Sequence, residues 1–582
     1  MSNTSGESVN SSFEFVIAMS SIVVEQRRLS PPFTARSWKL LIVAVAYVAA
    51  TIWSWRFINM SFAGLFGGIS DVSSLLARML PPDFYLFNSI VSATIETLWM
   101  ALLGTTIAVL ISFPLSFGAA KNTTPNKFVF ALCRGIITMT RAIPDLIFAA
   151  IFVRAFGIGP LAGILALGLH SIGMIGKMFA DALENSDEMP REASVSTGAS
   201  KWQAIFASIL PQATPAMIGT ALYRLDINVR GSAVLGLVGA GGIGFIIQTA
   251  LRSLDYPSAL AAVSVIFIVI LAIEFFSSRV RATILGERSS SVVAVRSQSE
   301  RAMRRTRKDR TLLVDAVTMR SLVPPMTSER KSRIISLWAY VIVLFIALGT
   351  INMPILSSLG YLDDAWRIAA DLVPPDFTTA RSELITGMSE SIAIAFISTT
   401  LGLFIAVPLG LLSSRNIVAR KAVFVVTRSL LVLFRGIPEL IIAVLFVSAM
   451  GLGPVPGTLA LTLVTAFFMS KLIADTFEEV DPSPREAVFA TGATRVQELF
   501  GSVLPQAMPA LVSQVLYMLD VNLRSSTVLG IVGGGGIGFL LLGSIRVFEF
   551  GTTGAVIFSI FVVVYAIELI GTWVRSELAK AN

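Results

Sequence analysis

Apolar stretches of about 20 residues, long enough to cross a bilayer as helices, recur along the whole chain between short polar segments. The pattern predicts spans near Leu40–Phe57, Ser89–Leu115, Lys127–Phe156, Leu161–Ala182, Gln212–Asn228 and Ser258–Val280. It then starts again with Ile335–Met353, Ile385–Leu411, Ala422–Met450, Gly457–Asp475, Gln506–Asn522 and Gly554–Val574. The expected fold is an all-α polytopic membrane protein with about 12 transmembrane helices, arranged as two six-helix halves.

The polar residues repeat with the apolar ones. Pro190 to Phe245 returns as Pro484 to Phe539 with a constant offset of 294 and no gap, about three in five positions being identical. The matches include Arg191/Arg485, Glu192/Glu486, Gln212/Gln506, Asp226/Asp520, Asn228/Asn522 and Arg230/Arg524, which shared hydrophobicity does not explain. Pro81-Pro82-Asp83-Phe84 likewise returns as Pro374-Pro375-Asp376-Phe377. An even number of spans per half makes the repeats parallel, related by an axis along the membrane normal.

Composition agrees: 54% of the 582 residues are apolar and only 14% are charged, against about 25% charged in soluble proteins. Glu287 to Arg333 carries 12 Lys/Arg against 5 Asp/Glu, nearly the whole net charge of +8. Flanked by spans, such a tract follows the positive-inside rule rather than marking a nucleic-acid partner. The chain then divides into a cytoplasmic tail (1–39), a first half (40–283), a basic cytoplasmic linker (284–333), a second half (334–575) and a cytoplasmic tail (576–582). A single cysteine, Cys133, excludes an internal disulfide and a cysteine metal site, and no metal is expected. The single histidine, His170, has Val464 as its repeat mate and reads as a tolerated intramembrane residue.

Between spans four and five lies a polar stretch, Asp187 to Ile209, with apolar residues at helical spacing: Ala193, Val195, Ala199, Trp202, Ile205, Phe206 and Ile209. Bracketed by Pro190 and Pro211, it predicts a short amphipathic helix outside the membrane that docks into a partner's groove. Glu192-Ala193, Gly198 and Leu210-Pro211 resemble the EAA loop, the ATPase-coupling motif of ABC-importer permeases, near 187–211. Glu486-Ala487, Gly492 and Leu504-Pro505 repeat it near 481–505. Two positions depart from the motif: its second Ala is Ser194 or Val488, and its later Ile is Ser208 or Ser502. The run Leu222 to Arg230, followed by Val234 to Gly244, resembles the permeases of phosphonate importers, as do Arg141-Ala-Ile-Pro-Asp145 and Arg435-Gly-Ile-Pro-Glu439. Those permeases are usually single halves that pair; here two are fused.

The resemblance implies a type I ABC-importer permease with a methionine-permease-like core, in the cytoplasmic membrane with both termini inside. It implies two copies of a cytoplasmic ATPase and one external phosphonate-type binding protein. ATP and magnesium would bind the ATPase, leaving this chain without a cofactor and not itself an enzyme. No G-x-x-x-x-G-K-[ST] occurs, in keeping with that. The implied cargo is phosphonate or a related phosphorus oxyanion. The alternative is a single-chain six-plus-six secondary transporter for an anionic solute, which leaves the duplicated amphipathic segment unexplained.

Gly239-Ala-Gly241-Gly242-Ile-Gly244 satisfies the dinucleotide fingerprint, but it sits between spans and lacks the strand that motif requires. Close helix packing remains open for it, as does a gate or a backbone N–H nest for an anion at Gly239, Gly241, Gly242 and Gly244 and at Gly533, Gly535, Gly536 and Gly538. Intramembrane charges are functional candidates by default. The repeated ones are Glu96/Glu390, Arg134/Arg428, Arg141/Arg435, Asp145/Glu439, Lys177/Lys471, Asp226/Asp520 and Arg230/Arg524. Of these, Arg230 and Arg524 are expected to share an anion on the pathway, with Asp226 and Asp520 holding them when no anion is present and Asn228 and Asn522 adding hydrogen bonds; the i, i+4 spacing leaves open that Asp226 and Arg230 simply neutralise one another. Arg224, whose mate is Met518, ranks behind them.

Overall fold

A computed structural model describes residues 35–284, 328–351, 359–418 and 420–579. The expected tails and linker lie almost entirely outside those residues. Only their margins, within 35–39, 328–333 and 576–579, are described, as ends of helices. The described residues contain helices and no strand.

Each half contributes ten helices. In the first these are α1 (Ala35–Phe57), α2 (Phe62–Met79), α3 (Phe87–Ala119), α4 (Lys127–Ala142), α5 (Asp145–Phe156), α6 (Pro160–Glu184), α7 (Met189–Ser196), α8 (Lys201–Val238), α9 (Gly242–Arg252) and α10 (Tyr256–Ile284). Their counterparts are α11 (Ser328–Thr350), α12 (Leu362–Asp371), α13 (Arg381–Leu412), α14 (Lys421–Arg435), α15 (Glu439–Met450), α16 (Pro454–Glu478), α17 (Pro482–Ala490), α18 (Arg495–Val532), α19 (Gly538–Arg546) and α20 (Phe550–Ala579).

Eight helices are long and apolar enough to span a membrane: α3, α6, α8, α10 and their counterparts. The single span expected over Lys127–Phe156 is instead two helices, α4 and α5, bent by 86°; α14 and α15 are bent by 82°. The cause is Pro144 or Pro438. A proline disfavours the helical region for the residue before it and offers no N–H to the preceding turn, and Ile143 sits at φ −92, ψ 123, extended. The helix restarts with Asp145 or Glu439 in its first turn. Leu41–Phe57 and Ile334–Thr350 are shorter apolar helices. Twelve crossings therefore count both bent pairs and both short helices.

The fifth span also differs from expectation. It begins at Lys201 rather than Gln212, and the polar segment before it is not one free helix. α7 ends at Gly198, whose φ of +89 favours a residue without Cβ. Ser200 then opens α8 with a capping box to Gln203, as Thr494 and Gln497 open α18. The helix runs past Pro211 because a π-turn, Ile205–Ile209, widens it just before the ring would press on the preceding turn; Leu499–Val503 does this before Pro505.

The halves interlock. α1 packs on α13 of the other half, and α11 on α3. The Tyr47 hydroxyl is 2.9 Å from Thr400 Oγ1, and the Tyr340 hydroxyl is 2.6 Å from Thr106 Oγ1. Helices α2 and α12 are exchanged as well, α2 lying on α15 and α12 on α5. Beside them, each Pro-Pro-Asp-Phe turn ties to the start of the last span: the Asp83 amide donates to Pro257 O at 3.2 Å and the Asp376 amide to Gly551 O at 2.9 Å. The Thr378 and Thr379 hydroxyls and amides donate to the Asp376 carboxylate and hold it well below the usual carboxylate range.

This exchange predicts a covalent outcome. With Cys133→Ala as background, Thr51→Cys and Thr400→Cys place thiols where hydroxyl oxygens lie 3.3 Å apart. A short thiol cross-linker should join the halves, so that a protease cutting the linker no longer separates them on a denaturing gel. Cross-linking only between separate chains would refute the exchanged packing.

Candidate translocation site and coupling surface

α7 buries none of its residues. Of the apolar set expected to form one face, Ile205 and Ile209 are buried in their own half, whereas Val195, Trp202 and Phe206 are exposed. In the second half Phe489, Val496 and Phe500 are exposed. Glu192 and Glu486 lie on the exposed surface, and neither side chain hydrogen-bonds or ion-pairs with another described residue. Ala193, Ala487, Gly198 and Gly492 are exposed beside them. Glu486 lines a groove of about 570 Å³ together with Arg485, Phe489, Arg495 and Glu498. The two departures from the motif meet in the first half, where Ser194 Oγ is 2.8 Å from Ser208 Oγ. They join α7 to α8 without using the outer face.

The repeated charges near the inner ends are structural. Arg134 pairs with Glu184 at 2.9 Å, and Arg428 with Glu478 at 2.8 Å. Lys177 pairs with Asp181 at 3.1 Å, and Lys471 with Asp475 at 2.7 Å.

Deeper in the membrane, Arg230 bonds Asp226 at 2.6 Å and Arg524 bonds Asp520 at 2.5 Å. A carboxylate absent from the sequence-based candidates completes each cluster. Glu274 on α10 pairs with Arg435 of the other half and lies 3.9 Å from Arg230. Its mate Glu568 lies 3.8 Å from Arg141, again across the halves, and Arg141, Asp520, Arg524 and Glu568 line one small gap. Two arginines thus face two carboxylates in each cluster. The sequence did carry the signal, because Ala-Ile-Glu recurs at the 294 offset at Glu274 and Glu568.

Asp226 and Asp520 hold the arginines, as expected of the site without an anion; Glu274 and Glu568 add a second carboxylate to each cluster, and Nε of Arg230 and Arg524 has no hydrogen-bond partner. Asn228 and Asn522 are not beside them as anion donors. Asn228 is 1% exposed and binds Thr105 at 2.8 Å and Ser171 at 3.0 Å. Asn522 binds Thr399 at 2.9 Å and accepts from Thr465 at 3.0 Å. Both tie α8 or α18 to helices of the same half.

The glycine runs turn α8 into α9 and α18 into α19. Gly239, Gly241 and Gly242 have φ of +96, +81 and +70, as Gly533, Gly535 and Gly536 have +91, +76 and +86. Gly244 and Gly538 are helical, and a Cβ on either would meet a backbone carbonyl, of Ala233 or Thr527. The nest is already filled by protein. Glu390 accepts from the Gly536 amide at 2.9 Å, Ser391 from the Ile537 amide at 3.0 Å and Thr97 from the Ile243 amide at 2.9 Å. Glu96 accepts from the Gly242 amide. Close packing accounts for these glycines, and Glu96 and Glu390 are their caps.

Residues that approach their own repeat mates mark the pseudo-twofold axis. Asp145 lies within electrostatic reach of Glu439, and Tyr223 within reach of Tyr517. Arg524, Arg224 and His170 belong to the same neighbourhood. His170 Nδ1 is 3.1 Å from Ile143 O, so a ring N–H donates to the carbonyl freed by the break before Pro144.

A helical membrane protein with two interlocked parallel halves, an axial polar cluster and two exposed docking segments is a transport permease. The chain matches the family described as the binding-protein-dependent transport system inner membrane component twice, over residues 112–285 and 406–578, and it belongs to that family. It is a fused two-half, multi-pass permease rather than an enzyme, and membership implies an ATPase and a substrate-binding protein as partners. The secondary-transporter alternative has no counterpart in that match. The phosphate-import permease protein PhnE of Mycolicibacterium smegmatis is 42% identical over 529 residues, 91% of this chain and 93% of its own. The phosphite transport system permease protein PtxC of Stutzerimonas stutzeri is 40% identical over 239 residues, 41% of this chain and 87% of its own. Among solved structures, the inward-facing MetNI methionine ABC transporter covers 34% of this chain and 95% of its own, at 25% identity and a TM-score of 0.31.

The charge clusters generate a prediction. Glu274→Ala removes a carboxylate that is 15% exposed and leaves Arg435 without its partner. The loss should be about 3 kcal/mol, read as a lower unfolding temperature in detergent, and Glu274→Ala with Arg435→Met should recover part of it. An unchanged unfolding temperature for the single variant would show that the pair does not hold the halves together.

Proposed function

We propose that this chain forms the translocation pathway of an ATP-driven importer that carries phosphonate or a related phosphorus oxyanion, such as phosphite or phosphate, across the cytoplasmic membrane by alternating access. The observation that carries the ATP-driven part is the pair of exposed coupling segments, each presenting an unpaired glutamate, Glu192 or Glu486, on a short helix just before a long one that runs into the membrane. The cargo class rests on relatives whose names specify phosphate and phosphite.

Two docking segments take two copies of the ATPase, which would bind the ATP and magnesium; this chain needs no cofactor. One external binding protein, of phosphonate type, would cover the opposite face across the axis. The basic linker and both termini face the cytoplasm under the positive-inside rule. ATP would draw the two ATPase subunits together, and with them α7 and α17. Because α8 and α18 are continuous from the docking surface to the axial cluster, that motion reaches the pathway as a rigid-body tilt and opens it outward. Hydrolysis and product release would return it to the inward-facing state.

Glu192→Ala with Glu486→Ala should cut ATP-driven uptake in proteoliposomes at least about tenfold, the loss expected of one charge-assisted contact per site, while the chain inserts and unfolds normally. Undiminished uptake by the double variant would remove the coupling role. Purified without its partner, the chain should neither bind nor hydrolyse ATP, and accumulation of substrate by the chain alone under an ion gradient would overturn the ATP-driven reading.

A further inference from the structure

We propose that Arg224, with Ser171 and His170 beside it, is the residue that contacts the transported oxyanion, so that the fused permease holds its cargo from the first half alone. This rests on the cargo class above. Arg224 is 5% exposed. Its Nε donates to Ser171 Oγ at 2.8 Å, and Nη1 points at the thioether of Met174 at 3.3 Å. Among the described residues no carboxylate lies within ion-pair distance of it, whereas Arg134, Arg141, Arg230, Arg428, Arg435 and Arg524 each have one. A guanidinium kept in the membrane with a hydroxyl and a sulfur as its only near partners retains donors for a ligand of opposite charge.

Its position suits that task. Fourteen residues of helix separate it from Leu210, roughly 21 Å of rise, which places it within the span rather than at either surface. Asp145 lies within electrostatic reach of both Arg224 and Glu439, which puts Arg224 in the neighbourhood where the halves meet.

The repeat supplies the asymmetry. Met518 stands where Arg224 does, and Val464 where His170 does. In the second half the Ser525 hydroxyl donates to Glu439 at 2.9 Å and closes that side. The matching position in the first half is Gly231, where a Cβ would stand 3.5 Å from Asp145 Oδ2. The acids differ too, Asp145 against Glu439, and only the first half sets an arginine and a histidine in that neighbourhood. Ser171, whose own hydroxyl donates to Asn228 Oδ1 at 3.2 Å, holds Nε and leaves the Nη donors of the guanidinium for a tetrahedral oxyanion, and Asp145, a like charge nearby, keeps the affinity low enough for release.

The test uses the complete complex, with its ATPase and binding protein, in proteoliposomes, and inorganic phosphate as the probe. Arg224→Met, which copies the second half, should lower phosphate uptake at least about tenfold. Arg224→Lys, which keeps the charge without the fork, should raise KM more than it lowers kcat. In detergent, millimolar inorganic phosphate should raise the unfolding temperature of the wild-type complex and not that of Arg224→Met. Protection by phospholipid but not by inorganic phosphate would assign the residue to a headgroup and overturn the proposal. Wild-type uptake and KM in Arg224→Met would overturn it as well. If Arg224→Met does not accumulate in the membrane, an unchanged KM in Arg224→Lys decides against it. A wild-type complex that takes up no phosphorus oxyanion would instead overturn the cargo class argued above.

Discussion

A guanidinium inside a bilayer has no water to solvate it, and every arginine in these spans must find its counter-charge in protein. At about 2.5–3.5 kcal/mol for each arginine near a helix centre, two per cluster left alone would consume much of a protein's net stability of about 5–15 kcal/mol. The chain meets this with balanced groups: Asp226, Arg230, Glu274 and Arg435 in one, Asp520, Arg524, Glu568 and Arg141 in the other. Each group draws on both halves. Balancing the charge and joining the halves are therefore one interaction, and the exchanged first helices reinforce it through Tyr47–Thr400 and Tyr340–Thr106.

Against that background Arg224, the one buried arginine among the described residues, stands out because no ion pair holds it. Arg224 lies on α8, the helix that also carries the Asp226–Arg230 pair and, in its first turns, part of the proposed coupling surface. Asn228 fixes the same helix to α3 and α6 by buried hydrogen bonds, so its middle moves with its own half. Docking surface, an arm of the charge cluster and candidate cargo contact thus share one rigid element. A mechanical link between ATPase and pathway needs that arrangement, and α18 repeats all of it except the arginine.

Fusion of the halves is what permits the difference. Two identical chains around an axis must present the same residue twice. One chain can place Arg224 opposite Met518, His170 opposite Val464 and Gly231 opposite Ser525, while the load-bearing positions, Asn228/Asn522 and the charge clusters, stay duplicated. The ion pairs of the coupling segments differ as well: Arg485 pairs with Glu498 but Arg191 with Glu188.

The sequence by itself determined the membrane class, the two parallel halves, the permease family and the coupling segments, because hydrophobic runs, a 294-residue offset and the Glu-Ala…Gly…Leu-Pro spacing are local, one-dimensional signals. It also carried Pro144 and Pro438, but a composition-based span of 30 residues hid the bend they cause. Only the tertiary structure decided which charges were already taken. The i, i+4 spacing already offered Asp226 to Arg230 and Asp520 to Arg524, but Glu274 and Glu568 come from another helix. Repetition made Arg224 look expendable. Pairing depends on distances between helices far apart in sequence and on contacts across the two halves, and no spacing rule along the chain encodes those.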